Sequence, residues 1–231
     1  MEKENIFSSN KTAILIDLSF FLKVYSKSLG NSFSEKELAQ RIKDYAFKSL
    51  KVYNDTLFKI YVYDCPPIEG RIQAPISKTD IYFHQTKQYN FRKNLLKELN
   101  RQPYFAIRLG EAKLNKKNPW IIKPSILKEI LCQQKTVESL TDQDFDLNLR
   151  QKGVDIKIAL DISKLSLRKD IEKIILMTGD SDFIPAIKLA RREGIIVQLD
   201  PLRHNVSESM LDHIDLLYSI LPNDSLSIRN Y

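Results

Sequence analysis

Ile174-Ile175-Leu176-Met177-Thr178-Gly179-Asp180-Ser181-Asp182-Phe183 is the stretch that decides the fold. An unbroken apolar run stops at two carboxylates one residue apart. Helical spacing follows at once in Phe183, Ile184, Ile187 and Ala190. The pattern predicts a buried strand, a tight turn at Gly179 and a helix beginning near Ser181 or Asp182. Pro185 suits a first helical turn, where its missing N–H is no loss. Gly194, after Arg191-Arg192-Glu193, marks the end of that helix. Asp180 and Asp182 then stand at the carboxyl edge of a strand, where open α/β sheets bind ligands. Asp182 is the expected helix cap of the two.

The same grammar recurs along the chain. Ala13-Ile14-Leu15-Ile16-Asp17 is a buried-strand signature ending in a carboxylate, and Leu18 to Leu22 turns into a loop or helix. Ser34-Glu35-Lys36-Glu37 is a capping box preceded by Phe33. The helix it opens places Leu38, Ile42, Tyr45, Ala46, Ser49 and Leu50 on one face. Leu57 to Tyr63 is a second strand, ending at Asp64 and broken by Cys65-Pro66-Pro67. Lys87 to Asn100 reads as a helix, and Tyr104 to Leu109 as a strand. Residues 68–85 give no clear pattern. Gly153-Val154-Asp155 leads into a helix over Ile156 to Leu167, and Ile195 to Leu199 is a further strand. A helix begins after Val206, and Leu216-Leu217-Tyr218 closes the series.

Short apolar strands alternating with helices predict an α/β fold in three layers. Its central sheet is mostly parallel, with helices on both faces. One domain over residues 11–218 is expected, with a variable, irregular insertion around 110–146 and flexible termini at 1–10 and 222–231. That insertion holds Lys113, Lys116, Lys117 and Trp120, and a short helix is expected within it from Ser125 to Gln134.

With 43% apolar residues in 231, the chain can bury a sizeable core and is not of the disordered class. No apolar run reaches membrane-spanning length, and Met1 to Asn10 has no signal-peptide core. Cys65 and Cys132 match neither a disulfide framework nor a zinc site, so reduced thiols and a cytoplasmic location are expected. The formal charge of +7 favours an acidic partner such as nucleic acid.

Asp17, Asp64 and Asp180 each end a parallel strand, and Asp155 and Asp182 lie at helix starts beside the same edge. One strand-ending aspartate is an ordinary turn or cap residue. Several on one edge repel one another unless a cation offsets their charge. An oxygen-liking divalent ion, Mg²⁺ or Mn²⁺, suits such a set, and metal-assisted phosphoryl chemistry follows from it. Asp161, mid-helix, faces either the site or solvent. Lys87, Arg92, Lys93, Arg101, Lys113, Lys116 and Lys117 supply positive charge for a nucleic acid. Tyr89, Phe91 and Trp120 interleave with them as candidate stacking surfaces. His84, His204 and His213 match no zinc or nucleophile pattern.

Four motifs carry a family resemblance: Ile16-Asp17, Tyr63-Asp64-Cys65-Pro66-Pro67, Lys152-Gly153-Val154-Asp155-Ile156-Lys157-Ile158-Ala159-Leu160-Asp161, and Thr178-Gly179-Asp180-Ser181-Asp182-Phe183-Ile184-Pro185. In this order they resemble the NYN domain, in the LabA-like (DUF88) branch of the PIN-like nucleases. The resemblance implies a PIN-like fold and a metal-dependent ribonuclease acting on single-stranded or structured RNA. It implies that Asp17, Asp155, Asp180 and Asp182 hold Mg²⁺ or Mn²⁺, with Asp64, Ser19 and Asp161 in support. It also allows a homodimer. The first motif departs from the family, which carries Asp-Gly-x-Asn where this chain has Asp17-Leu18-Ser19-Phe20. Phe20 can neither ligate a metal nor hold a water.

Two other functions compete. One is an RNA-binding or regulatory module of the same fold without efficient cleavage, which the Phe20 departure motivates. The other is a phosphatase of the haloacid dehalogenase type, suggested by Gly179-Asp180-Ser181-Asp182. That chemistry needs a second aspartate two residues after the first, and Ser19 stands there instead.

Overall fold

The computed structural model describes residues 9–29 and 33–220. The chain divides into two compact units. The first comprises Met1–Asp64, Leu95–Gly110 and Gly153–Tyr231, and the second Cys65–Asn94 and Glu111–Lys152. The expected flexible termini fall outside the described residues apart from Ser9 and Asn10.

The first unit is built on β1 (Lys11–Asp17), whose Ala13 to Ile16 are wholly buried. α1 (Leu18–Leu29) follows without a break. α2 (Glu35–Lys51) opens on the expected capping box. Ser34 Oγ accepts the Glu37 N–H at 3.3 Å, and Glu37 Oε2 accepts the Ser34 N–H at 2.9 Å. Such a cap contributes about 1 kcal/mol. The six residues expected on its apolar face are all buried. β2 (Thr56–Asp64) then pairs in parallel with β1, setting Asp17 opposite Tyr63.

In the second unit, β3 (Arg71–Gln73) and β4 (Asp80–Tyr82) form an antiparallel pair. α3 (Lys87–Asn100) matches the expected helix. β5 (Phe105–Leu109) returns to the first unit and pairs in parallel with β2. The region expected to be irregular is more ordered than its sequence suggests. It holds β6 (Glu111–Leu114), β7 (Trp120–Ile122), α4 (Pro124–Leu131), β8 (Phe145–Leu147) and β9 (Leu149–Lys152). β6 pairs antiparallel with β9, and β7 with β8. Each strand is only three or four residues long, too short to display a period.

The chain re-enters the first unit at Gly153, whose φ of 79° lies in the left-handed region that glycine adopts without strain. α5 (Val154–Arg168) starts there. β10 (Lys173–Met177) is buried throughout. α6 (Ile184–Arg192), β11 (Ile196–Leu199), α7 (Glu208–Leu211) and β12 (Leu216–Leu217) complete the chain. The central sheet has the order β12-β11-β10-β1-β2-β5, and every pairing in it is parallel.

This order has a functional consequence. From β1 the chain first builds outward through β2 and β5, then returns to the other flank of β1 and builds through β10, β11 and β12. The reversal falls between β1 and β10, and a crevice opens at the carboxyl ends of strands at such a point. Ile16 is opposite Met177 there, so Asp17 and Thr178 are next in register. At the amino edge, Lys173 Nζ pairs with Asp55 Oδ2 at 2.7 Å, with both side chains buried.

Candidate active site

Asp17 closes β1 and turns its carboxylate into the first turn of α1. Its Oδ1 accepts the Phe20 N–H at 3.1 Å. Burial raises its pKa above the ordinary carboxylate value. The Phe20 N–H pulls it back, and the charges of Asp155 and Asp64 push it up again. Asp155, in the first turn of α5, also titrates high. Burial is the main cause, followed by the charges of Asp180 and Asp182. The five strand-end and helix-start carboxylates are thus joined by repulsion, from Asp64 through Asp17 and Asp155 to Asp180 and Asp182. This chain of like charges spans the crevice between β1 and β10.

The turn after β10 corrects one expectation. Asp180, not Asp182, is the cap: its Oδ1 accepts the Asp182 N–H at 2.9 Å. The chain makes a 3₁₀ turn over Ser181–Phe183 before α6 begins at Ile184, so the cap falls two residues earlier than the helical spacing suggests. Thr178 Oγ1 accepts the Asp180 N–H at 3.3 Å and steadies the turn from the buried side. Asp180 and Asp182 are both exposed.

Asp64 is buried at the end of β2, and Ser19 Oγ donates to its Oδ1 at 3.3 Å. Ser19 thus braces the Asp64 carboxylate from the first turn of α1. Asp161 does not reach the carboxylates. Its Oδ2 accepts the Tyr63 hydroxyl at 2.9 Å and Arg108 Nε at 3.1 Å, which ties α5 to β2 and β5. Burial and the neighbouring Asp161 charge push the Tyr63 phenol far above its usual range, so Tyr63 is a donor only.

Phe20, in the first turn of α1, meets Gly179 just beyond the carboxyl end of β10. A β-carbon at Gly179 would stand 2.6 Å from Phe20 Cε2, so any other residue there has to push the ring aside. The ring also meets His204 edge-on, with centroids 6.1 Å apart.

The charged groups named at this edge are carboxylates in mutual repulsion, the chemistry that a hard divalent cation offsets. Among the described residues, no three His, Cys, Asp or Glu side chains are drawn together tightly enough to hold a metal ion. The carboxylates share an edge without closing into a coordination shell.

Of the basic residues singled out in the sequence, Arg101 belongs to the first unit and pairs with Glu98 at 2.8 Å. Lys87, Arg92, Lys93, Lys113, Lys116 and Lys117 all belong to the second unit. Lys113 pairs with Glu111 at 2.8 Å, and Lys93 lies over the Tyr89 ring. Lys87, Lys116 and Lys117 are exposed. Tyr89 is not a stacking surface: it is buried, and its hydroxyl donates to Glu69 at 2.9 Å. Trp120 is held by its Nε1–H, which donates to the Gln73 carbonyl at 2.8 Å. The Tyr89 ring serves the second unit's own packing, whereas Trp120 is half-buried and tethered there by its N–H edge.

One strand-ending aspartate escaped the sequence reading. Asp200 follows β11 and is fully buried. It accepts the Tyr45 hydroxyl at 2.9 Å, the Ser219 hydroxyl at 2.7 Å and the Leu202 N–H at 3.0 Å. Burial pushes its pKa up to about 6. Its signal is the one that marks Asp17, an apolar run closed by a carboxylate, but its partners make it structural.

The NYN-domain family model matches residues 93–215, more than half of the chain. The chain belongs to the NYN-domain family. The matched part of the NYN domain contains Asp155, Asp161, Asp180, Asp182 and Asp200, while β1 and β2 precede it. A protein of Methanocaldococcus jannaschii described as uncharacterized is 28% identical over 83 residues, 35% of this chain and 35% of its own. The chain thus spans about a third of that relative's length. No solved structure matches. Among the described residues, no helix is long and apolar enough to cross a membrane.

Proposed function

We propose that this NYN domain is a metal-dependent ribonuclease that hydrolyses RNA phosphodiester bonds at the crevice between β1 and β10. The observation that carries the reading is the run of mutually repelling carboxylates from Asp64 to Asp182 at the reversal point of the sheet. We take the domain to span about 11–218, because β1 supplies Asp17 and pairs with both β10 and β2. The four motifs favour the LabA-like (DUF88) branch.

Asp17, Asp155, Asp180 and Asp182 would hold Mg²⁺ or Mn²⁺, which when bound polarises a phosphate and eases ionisation of a water. The protein's own groups set the site up. The Phe20 N–H orients Asp17, and the Asp182 N–H orients Asp180 through its Oδ1. Asp64, braced by Ser19, adds negative charge behind Asp17. Asp161 acts at a distance, by fixing α5 and hence Asp155. The basic residues of the second unit are proposed RNA contacts. That Cys65 and Cys132 form no disulfide accords with a cytoplasmic protein.

A second reading has its own observation. Phe20 occupies the family's asparagine position and packs onto Gly179, which favours an RNA-binding module with little cleavage. RNA incubated with Mg²⁺ or Mn²⁺ and either the wild type or Asp180→Asn separates the two. Metal-dependent cleavage lost in the variant supports the nuclease. Cleavage that persists unchanged sinks the site assignment, and RNA binding without cleavage under either metal supports the module.

A further inference from the structure

α6 leads from the carboxylates to a second feature. At its far end Lys188, Arg191 and Arg192 share one helix face. With Ile195, Ile196 and Asp215 they line a groove of about 480 Å³. Cations in a last helical turn favour the helix dipole, which accounts for their charge but not for a groove or for how Arg191 is held. Arg191 Nε donates to Asp215 Oδ1 at 2.9 Å, and Nη1 to the Asp212 carbonyl at 3.4 Å. Asp215 is itself fixed, its Oδ2 accepting the Val197 N–H of β11 at 2.8 Å. The guanidinium is therefore pre-oriented with further N–H donors to spare. Asp215 is the carboxylate of the lining, and Arg191 engages it. The side chains of Lys188 and Arg192 are exposed and make no hydrogen bond or ion pair among the described residues.

The groove lies at the opposite end of α6 from the carboxylates, on the amino side of the sheet where Ile196 is opposite Lys173, and α6 itself links the two. The turn holding Asp180 and Asp182 passes directly into α6. Pro185, Lys188 and Arg192 form an exposed stripe down that helix. From Asp182 to Arg192 the rise is about 15 Å. We propose that the groove is a phosphate-binding subsite, occupied by a phosphate of the same RNA strand whose reacting bond lies at the carboxylates. The aliphatic Ile195 and Ile196 form its floor beneath a sugar or base. The choice of RNA rests on the ribonuclease reading, but the existence of the subsite is tested without cleavage.

The test uses the full chain with both exposed cations reversed, Lys188→Glu with Arg192→Glu, in chelator so that nothing is cut. The probes are a labelled single-stranded RNA of about 12 nucleotides, a dinucleotide, and adenosine monophosphate as competitor. An unfolding midpoint equal to the wild type's certifies that the variant is folded. The expected result is RNA binding about tenfold weaker or more, with a shallower salt dependence. Dinucleotide binding, too short to span both sites, weakens by less. Displacement of RNA by adenosine monophosphate in the wild type but not in the variant supports the phosphate subsite and assigns it to free nucleotides as well. Unchanged RNA affinity and salt slope overturn the proposal, as does an equal loss for the dinucleotide. Binding lost in the variant while the wild type cleaves with neither metal sinks the ribonuclease reading and leaves the subsite. Cleavage with unaltered binding sinks the subsite alone.

Discussion

Phe20 and Gly179 are in direct contact across the crevice, the ring resting where any other residue would place a β-carbon. Gly179→Ala therefore forces the ring aside. The expected cost is about 1–3 kcal/mol, the usual range for overpacking, measured by urea unfolding. In a double-mutant cycle with Phe20→Ala most of that cost disappears. Strictly additive losses would refute the contact.

Phe20→Asn restores the residue type that the family carries at this position and removes the ring from the crevice. Its metal-dependent RNA cleavage is expected to exceed the wild type's. A rate equal to or below it would show that Phe20 does not limit the site.

Asp155→Asn and Asp180→Asn are expected to lower cleavage by about 10² to 10³, the scale of losing one transition-state charge contact. Without metal, Asp155→Asn is expected to be more stable than the wild type, because it removes a charge that Asp180 and Asp182 repel. Adding Mn²⁺ should raise the wild type's Tm and leave that of Asp155→Asn nearly unmoved. Thermal melts with and without the ion read both effects. A variant that melts lower than the wild type in chelator contradicts the repulsion.

Asp200 gives stability a pH dependence of known sign. Burial raises its pKa from 3.8 to about 6, so folding favours the protonated form. Its contribution is complete below about pH 3.8 and is lost as pH rises through about 6. The difference corresponds to about 3 kcal/mol between the two ends of that window. Unfolding of the wild type and of Asp200→Asn, compared between pH 4 and pH 7, isolates it. The wild type should lose ground to the variant as pH rises, and parallel curves would exclude the shift.

Lys173→Met leaves Asp55 buried without its cation. Losing one partner of a buried pair costs about 3–5 kcal/mol. Lys173→Met with Asp55→Asn should recover most of the loss in chemical unfolding. Because the pair lies at the amino edge of the sheet, cleavage per folded molecule should not change. No recovery in the double variant would mean that packing, not charge, sets the cost.

Asp17, Asp64 and Asp180 were legible as strand ends because a parallel strand buried on both faces leaves a local mark: an apolar run closed by a carboxylate. That β1 and β10 lie side by side leaves no such mark, being decided by long-range pairing. Asp182 was misjudged as the cap because a 3₁₀ turn and a helix start look alike in side-chain spacing. β6 and β7 leave no mark in the sequence because three or four residues cannot show a period, and Leu147-Asn148-Leu149, which reads as one short strand, is the junction of β8 and β9. Tyr89 looks the same in sequence whether it stacks on bases or packs inside, and only its burial and its hydroxyl partner Glu69 distinguish the two. Asp200 carries the same local mark as Asp17, and its surroundings alone make it a brace.

The tether from the Asp182 N–H to Asp180 splits position 182 into two separate contributions. The side chain adds charge at the rim of the crevice, whereas the backbone amide aims its neighbour. Replacing the carboxylate with any residue that retains an N–H leaves Asp180 aimed. Proline alone, lacking that hydrogen, would let Asp180 swing free while keeping every other acid in place. Tolerance at this position is therefore a matter of the main chain first and of charge second.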